Sequence, residues 1–215
     1  MNISIEGISI ENTLESIHVK SRSLLTTLSS AIVGSGFQRV HHILNFHVDK
    51  DYYCPNPKAD LKAFAGRMKI DGRFVGLLTA VKLHKARLVH LQEDGLGVGA
   101  LVTAGVGNAA CAGVTPPFSY RPGTINIILL LDANLTRAAM LNAVITATEA
   151  KSAMLAEMNI RTANDDLATG TSTDTVTVAA TGKGTLQSYA GPVTTVGWLI
   201  ARAVRQAVHD SILEK

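Results

Sequence analysis

"TINIILLLDANLTRAAMLNAVITATEAKSAML", residues 124–155, decides the architecture. Its first nine residues, "TINIILLLD", are apolar without alternation and β-branched at the start. That is the pattern of a fully buried strand. From Thr136 to Met158 there is no Gly or Pro, and Ala, Leu and Met abound, which predicts one long helix. A buried strand followed by a long helix predicts a sheet with helices packed on it.

Working outward, strands are predicted over 3–10, 17–28, 40–48, 73–81 and 85–92. "EDGLG" (93–97) reads as a hairpin turn into a partner strand over 98–107. "NPKADLKAFAGRM" (56–68) predicts a helix with Asn56 as N-cap and Pro57 in the first turn. "TPPFSYRPG" (115–123) reads as a loop and "TDTVTVAAT" (173–181) as a strand. Gly191 and Pro192 are predicted to open a final helix with an apolar stripe from Val196 to Val208. The fold class is α/β or α+β: a single domain over 1–215, with a mixed β-sheet packed against several helices. No Pro/Ser run, charge block or low-complexity tract divides the chain.

Composition excludes several function classes. Of 215 residues 47% are apolar, enough for a sizeable core. The net charge of +3 is weak and its basic residues are scattered, so no nucleic-acid partner is expected. The N-terminus lacks the basic start and apolar block of a secretion signal. "TINIILLLDANL" is too short to span a bilayer. A cytoplasmic protein without a membrane partner is expected. Cys54 and Cys111 are far apart and suggest neither a disulfide framework nor a metal pair. His41 and His47 would lie roughly 20 Å apart along a strand, too far to share an ion, so no metal is expected.

Polar residues gather in four places. In "VHHILNFHV" (40–48) strand alternation puts Val40, His42, Leu44, Phe46 and Val48 on one face. Asn45 and His47 share the other, roughly 6–7 Å apart. A half-exposed strand showing polar residues outward explains that face equally well. In "VTAGVGNAACAG" (102–113) Gly105 and Gly107 permit a tight turn whose amides could face a ligand. The spacing is neither a dinucleotide fingerprint nor a P-loop. Asp132 ends the buried strand, a favoured position for ligand contact in α/β sheets, but with Asn134 it reads equally as a helix cap.

Within the long helix Glu149 falls on a face with Asn142, Thr146 and Ser152, and Thr148 and Lys151 share the adjoining one. So few charges suggest a buried site, where burial would suit Glu149 to proton transfer. The fourth place is "LATGTSTDTVTV" (167–178), with five threonines and a serine around Asp174. Its hydroxyls and amides could cradle an oxyanion, and Asp174 could orient a nucleophile or act as base. A Thr-rich strand entry that satisfies its own turn is the structural alternative.

Together, "LSSAIVGSGFQRVHHILNFHV" (28–48), "GLLTA" (76–80), "TAGVGNA" (103–109), the 122–155 stretch and "ATGTSTDTVTV" (168–178) resemble the adenosylcobinamide amidohydrolase family. The resemblance runs from about Leu24 to about Val204. It implies hydrolysis of the amide that links aminopropanol to the corrin ring of adenosylcobinamide. The products would be adenosylcobyric acid and 1-amino-2-propanol. It implies a corrinoid as substrate, and no cofactor.

Glu149, Asp174 and His47 are then the candidate catalytic residues. Asn45, Thr79, Thr103, Asn108, Asn126, Asp132, Thr148, Lys151, Thr169 and Thr171 are the candidate substrate contacts. Pro192 and Val193 depart from the more polar or basic pair expected of the family. That departure keeps a corrinoid-binding protein without hydrolysis open, and the few aromatics, 5% of residues, keep open an amidase for a smaller substrate. Direct water attack against a hydroxyl nucleophile stays open too, as does a homo-oligomer against a monomer.

Overall fold

A computed structural model describes residues 1–117 and 123–214. The chain runs β1 (Ile8–Asn12), β2 (Ser16–Ser29), β3 (Gly36–His47), α1 (Pro57–Arg67), β4 (Phe74–Thr79), β5 (Arg87–Glu93) and β6 (Leu96–Ala104). It continues through β7 (Ala109–Ala110), β8 (Ile125–Asp132), β9 (Asn134–Leu135), α2 (Arg137–Glu157), β10 (Gly170–Thr171), β11 (Thr175–Ala180), β12 (Leu186–Gln187) and α3 (Thr195–Leu213). Most of the predicted 115–123 loop falls on 118–122, outside the described residues.

The main sheet has eight strands in the order β4-β3-β2-β11-β8-β6-β5, with β1 added to β2. It is mixed: β3 pairs parallel with β4 and β8 with β11, and the other neighbours are antiparallel. The architecture is α+β, as expected. β8 is the buried strand its composition predicts: Ile125 to Leu131 are at most 1% exposed. Each of its buried Ile and Leu side chains contributes about 1.5–3 kcal/mol, so β8 anchors the whole sheet.

The sheet folds over on itself. The β2–β3 register slips between Lys20 and Leu25. Before the slip β2 carries β1, and after it β2 carries β11. The inner layer between the two halves holds Ile17, Val19, Ile43, Val75 and Leu77 from one side and Leu101, Ile128, Leu130 and Ala179 from the other. α2 and α3 cover the outer face of β6, β8 and β11. α1 covers the outer face of β3 and β4, where Phe64 stacks on Phe46 at 4.1 Å.

Some expectations need correction. The first strand begins at Ile8 rather than residue 3, because Gly7 turns the chain at φ 79°. Strand alternation in 40–48 breaks at His41, inside the register slip, so Val40 joins Ile43 in the inner layer. α3 starts at Thr195, not Gly191. Residues 191–194 form a turn closed by Thr194 N–H donating to the Gly191 carbonyl at 3.0 Å. Thr194 is the N-cap, its hydroxyl accepting from Gly197 N at 3.1 Å. α1 is capped as expected, by Asn56 accepting from Ala59 N at 3.1 Å. No described helix is long and apolar enough to cross a membrane.

Candidate active site

Asp174 ends the hydroxyl-rich loop that enters β11 and is held from four directions. Its Oδ1 accepts from the Thr171 hydroxyl at 2.5 Å and from Ile125 N at 3.0 Å. Its Oδ2 accepts from Thr171 N at 3.2 Å and from the Lys151 ammonium. Lys151 reaches it from α2, and its side chain is 8% exposed. A lone ammonium there would be costly; the carboxylate offsets that cost. The pair lies directly over Gly170, which has no Cβ to obstruct it.

A second set of bonds ties the loop to Gly123, just before β8, and to the turn after β6. Asn108 Nδ2 donates to Ser172 Oγ at 2.8 Å and to the Gly123 carbonyl at 2.9 Å. The Thr173 hydroxyl donates to that same carbonyl at 2.7 Å. β10 pairs with β7, and Thr169 N–H donates to the Ala110 carbonyl at 2.9 Å. Beneath them runs a buried polar chain. Thr124 Oγ1 donates to the Thr173 carbonyl at 2.8 Å and contacts Asn126 Oδ1 at 3.2 Å. Asn126 Nδ2 donates to Asn45 Oδ1 and to the Leu78 carbonyl, and Asn45 Nδ2 donates to Thr103 Oγ1. Buried amides must be satisfied, and these satisfy one another across the inner layer.

The structure therefore separates the candidates by position. Thr148, Lys151, Thr169, Thr171 and Asp174 line one cleft of about 810 Å³. Asn45, Thr103 and Asn126 are at most 2% exposed and lie under the loop rather than on a cleft wall. Asn108 lines an adjoining cleft of about 680 Å³, which shares Thr115 and Pro116 with the first. Thr79 lines a further cleft of about 500 Å³ with Tyr52, Tyr53 and Ile32. Thr173 and Asp174 line that cleft too, so it shares a wall with the first.

Three candidates stand elsewhere. Glu149 is exposed rather than buried, and lines none of these clefts. The helix face turned to the cleft is that of Thr148, Lys151 and Ser152. The face with Thr146 packs on Ala190, whose carbonyl accepts the Thr146 hydroxyl at 2.8 Å. Asp132 accepts from the Thr181 hydroxyl at 2.9 Å, at the far end of β8. It stands seven positions on from Ile125, about 23 Å along the strand. Nor does it cap α2: Thr136 does, accepting from Ala139 N at 3.0 Å. His47 bonds the Thr79 carbonyl through Nδ1 at 3.2 Å and lines neither cleft that Asp174 lines. Among the described residues no three His, Cys, Asp or Glu side chains are grouped to hold a metal.

Residues the sequence did not single out are Gly170, Thr124, Tyr52 and Tyr53. Gly170 and Thr124 sit inside quoted motifs, where a glycine or threonine reads as turn chemistry. The tyrosines lie on an irregular stretch before α1 with no periodic signal.

Such a group can hold an amide carbonyl against a hydroxyl and a carboxylate. The family model for adenosylcobinamide amidohydrolase matches residues 2–215. The chain belongs to the adenosylcobinamide amidohydrolase family. A relative named adenosylcobinamide amidohydrolase from Methanosarcina mazei is 33% identical over 166 residues, 75% of each chain. Another of that name, from Halobacterium salinarum, is 34% identical over 143 residues, 63% of this chain and 57% of that one. A crystal structure of a Pyrococcus horikoshii protein shares the fold with a TM-score of 0.53 at 13% identity, covering 96% of this chain and 84% of that one.

Proposed function

We propose that the protein hydrolyses the amide joining aminopropanol to the corrin ring of adenosylcobinamide. The products are adenosylcobyric acid and 1-amino-2-propanol, and the reaction is a cytoplasmic step in corrinoid salvage that needs no cofactor. The observation that carries this reading is the Lys151–Asp174–Thr171 group on a cleft wall, in a chain of this family. Amide hydrolysis at neutral pH needs a proton acceptor beside the attacking oxygen and a proton for the leaving amine. Asp174, held by Lys151, supplies the first at Oδ1. The adjoining cleft lined by Tyr52, Tyr53, Ile32, Val48 and Leu78 supports a large substrate. Two of the four tyrosines are gathered there, which offsets a chain poor in aromatics.

The departure at Pro192 and Val193 does not weigh against catalysis. Val193 is 97% exposed, and neither residue lines a cleft beside Asp174. The test is to mix purified protein with adenosylcobinamide, without ATP, nicotinamide or flavin, and to assay free 1-amino-2-propanol. Release is expected. Corrinoid binding without release over hours would make the protein a binder instead.

A further inference from the structure

The clefts hold many hydroxyls, but their protons go to different places. Thr148 donates to the Val144 carbonyl, Ser152 to the Thr169 carbonyl and Thr173 to the Gly123 carbonyl. Thr169 lies 3.5 Å from the Ala110 carbonyl. A carbonyl oxygen anchors such a proton but does not take it away. Thr171 differs. Its proton faces a carboxylate oxygen, Asp174 Oδ1, at 2.5 Å, its oxygen accepts only a long bond from Thr173 N at 3.5 Å, and the residue lines the cleft of about 810 Å³. Among the described serine and threonine side chains of that cleft it alone has a hydrogen bond to a carboxylate, which can become its base. The Tyr52 phenol on the adjoining cleft donates to Asp60 instead, away from the Lys151–Asp174 pair.

We infer that Thr171 Oγ1 is the nucleophile, and that hydrolysis passes through an ester between Thr171 and the corrinoid acid. This rests on the amide-hydrolase reading above. Thr171 Oγ1 forms a bond to the amide carbonyl carbon as its proton passes to Asp174 Oδ1. The tetrahedral intermediate collapses, the C–N bond breaks, and the nitrogen takes that proton from Asp174 as 1-amino-2-propanol leaves. Water then attacks the ester carbon, giving its proton to Asp174. Cleavage of the ester C–O bond returns the proton to Thr171 and releases the corrinoid acid. The sum is amide plus water to acid plus amine. Lys151 stays an ammonium throughout and fixes the carboxylate, so it is a positioning residue. Two backbone amides, Thr171 N and Ile125 N, fix the same carboxylate from other sides.

The test uses hydroxylamine as a competing nucleophile with adenosylcobinamide as substrate. An ester intermediate partitions, so part of the corrinoid product should appear as hydroxamate while 1-amino-2-propanol release continues. Thr171→Val should lose turnover by on the order of a thousandfold or more, the scale of removing a nucleophile. Thr171→Ser should keep it within about tenfold, because a primary hydroxyl can still attack. Release of the amine with all corrinoid as carboxylate in hydroxylamine overturns the nucleophile and leaves the amide-hydrolase reading standing. So does near-normal turnover by Thr171→Val. Absence of any amine release by the unaltered protein overturns both. Hydroxylamine can also replace water in a direct attack, so the hydroxamate must disappear in Thr171→Val; hydroxamate formed by that variant overturns the nucleophile as well.

Discussion

Gly170 lies directly beneath Lys151: a Cβ on it would stand 2.6 Å from Nζ and closer still to Asp174 Oδ2. Its backbone is not left-handed, so an alanine there meets a steric obstacle and no conformational one. Gly170→Ala should displace the ion pair. Overpacking of this kind costs about 1–3 kcal/mol. Turnover should fall by about tenfold or more, because a displaced Asp174 carboxylate no longer meets the Thr171 hydroxyl in register. Steady-state kinetics beside a thermal melt decide it. Unchanged kcat would mean the pair has room to yield.

Asp174→Asn removes the base for Thr171 and the counter-charge of Lys151 together, while its amide oxygen can still accept the Thr171 hydroxyl. Breaking a buried pair costs about 3–5 kcal/mol, with the lower end expected because Asp174 is 15% exposed. Turnover should fall about a hundredfold or more. Lys151→Met in the same background should restore part of the stability and none of the activity. Urea titrations of the two single variants and the double variant measure this. Purely additive losses would show that the two charges are uncoupled.

Glu149→Gln, by contrast, should leave turnover within about twofold, the range of surface substitutions. Glu149 is exposed and turned away from the cleft. A hundredfold loss in this variant would place Glu149 at the reacting amide after all.

Acid should weaken the fold through histidines. His18 and His42 meet at 3.0 Å. Burial holds both below the ordinary value of 6.5; next come the neighbouring imidazole for His18 and Lys20 for His42. A histidine depressed in the folded state is protonated first in the unfolded chain. Its contribution is therefore complete above about 6.5 and falls as pH drops below that. Urea midpoints from pH 8 to pH 5 should fall. His18→Gln with His42→Gln should flatten the fall, and His90, depressed by burial too, should keep a remainder. An unchanged slope in the double variant would assign the effect elsewhere.

Asn126→Ala should destabilise by more than the loss of a single hydrogen bond. It leaves Asn45 Oδ1 and the Leu78 carbonyl without their donor. Each unsatisfied buried group costs about 1–3 kcal/mol. Loss of the Asn126 contact to Thr124 should also loosen the tie to Thr173 and lower kcat. Denaturant unfolding and kinetics on one preparation test both. Full stability would mean that water takes the place of the amide.

Much of the fold was legible because its strongest elements carry local signals. The unbroken apolar run of β8, the Gly-free α2 and the Asn56–Pro57 start of α1 need no tertiary partner to be read. The fold-back of the sheet was not legible, since it depends on a register slip between Lys20 and Leu25 that no local pattern marks. The site followed the same division. Lys151, Thr171 and Asp174 sit in a polar stretch and a hydroxyl-rich loop that stand out. The helix angle could sort Glu149 from Lys151 but could not say which face met the loop. That choice is made by Ala139, Ala143 and Ala147, small enough to seat α2 on the sheet. Asp132 looked well placed because ligands favour strand ends, yet the loop enters at the opposite end, through the parallel pairing of β11 with β8.

The buried chain of amides beneath the loop has a kinetic corollary. Asn126 and Asn45 lie 81 positions apart, Asn108 and Ser172 64, and Thr173 and Gly123 50. Contacts of such sequence separation form only after long loops have closed, and chains built on them fold slowly. Thr171 and Asp174 cannot be brought into register by α2 and β11 alone. Their loop is seated only when the turn after β6 and the far half of the sheet have docked. Catalytic competence is thus a late event in refolding: an early collapsed state can hold helix and strand yet remain inert.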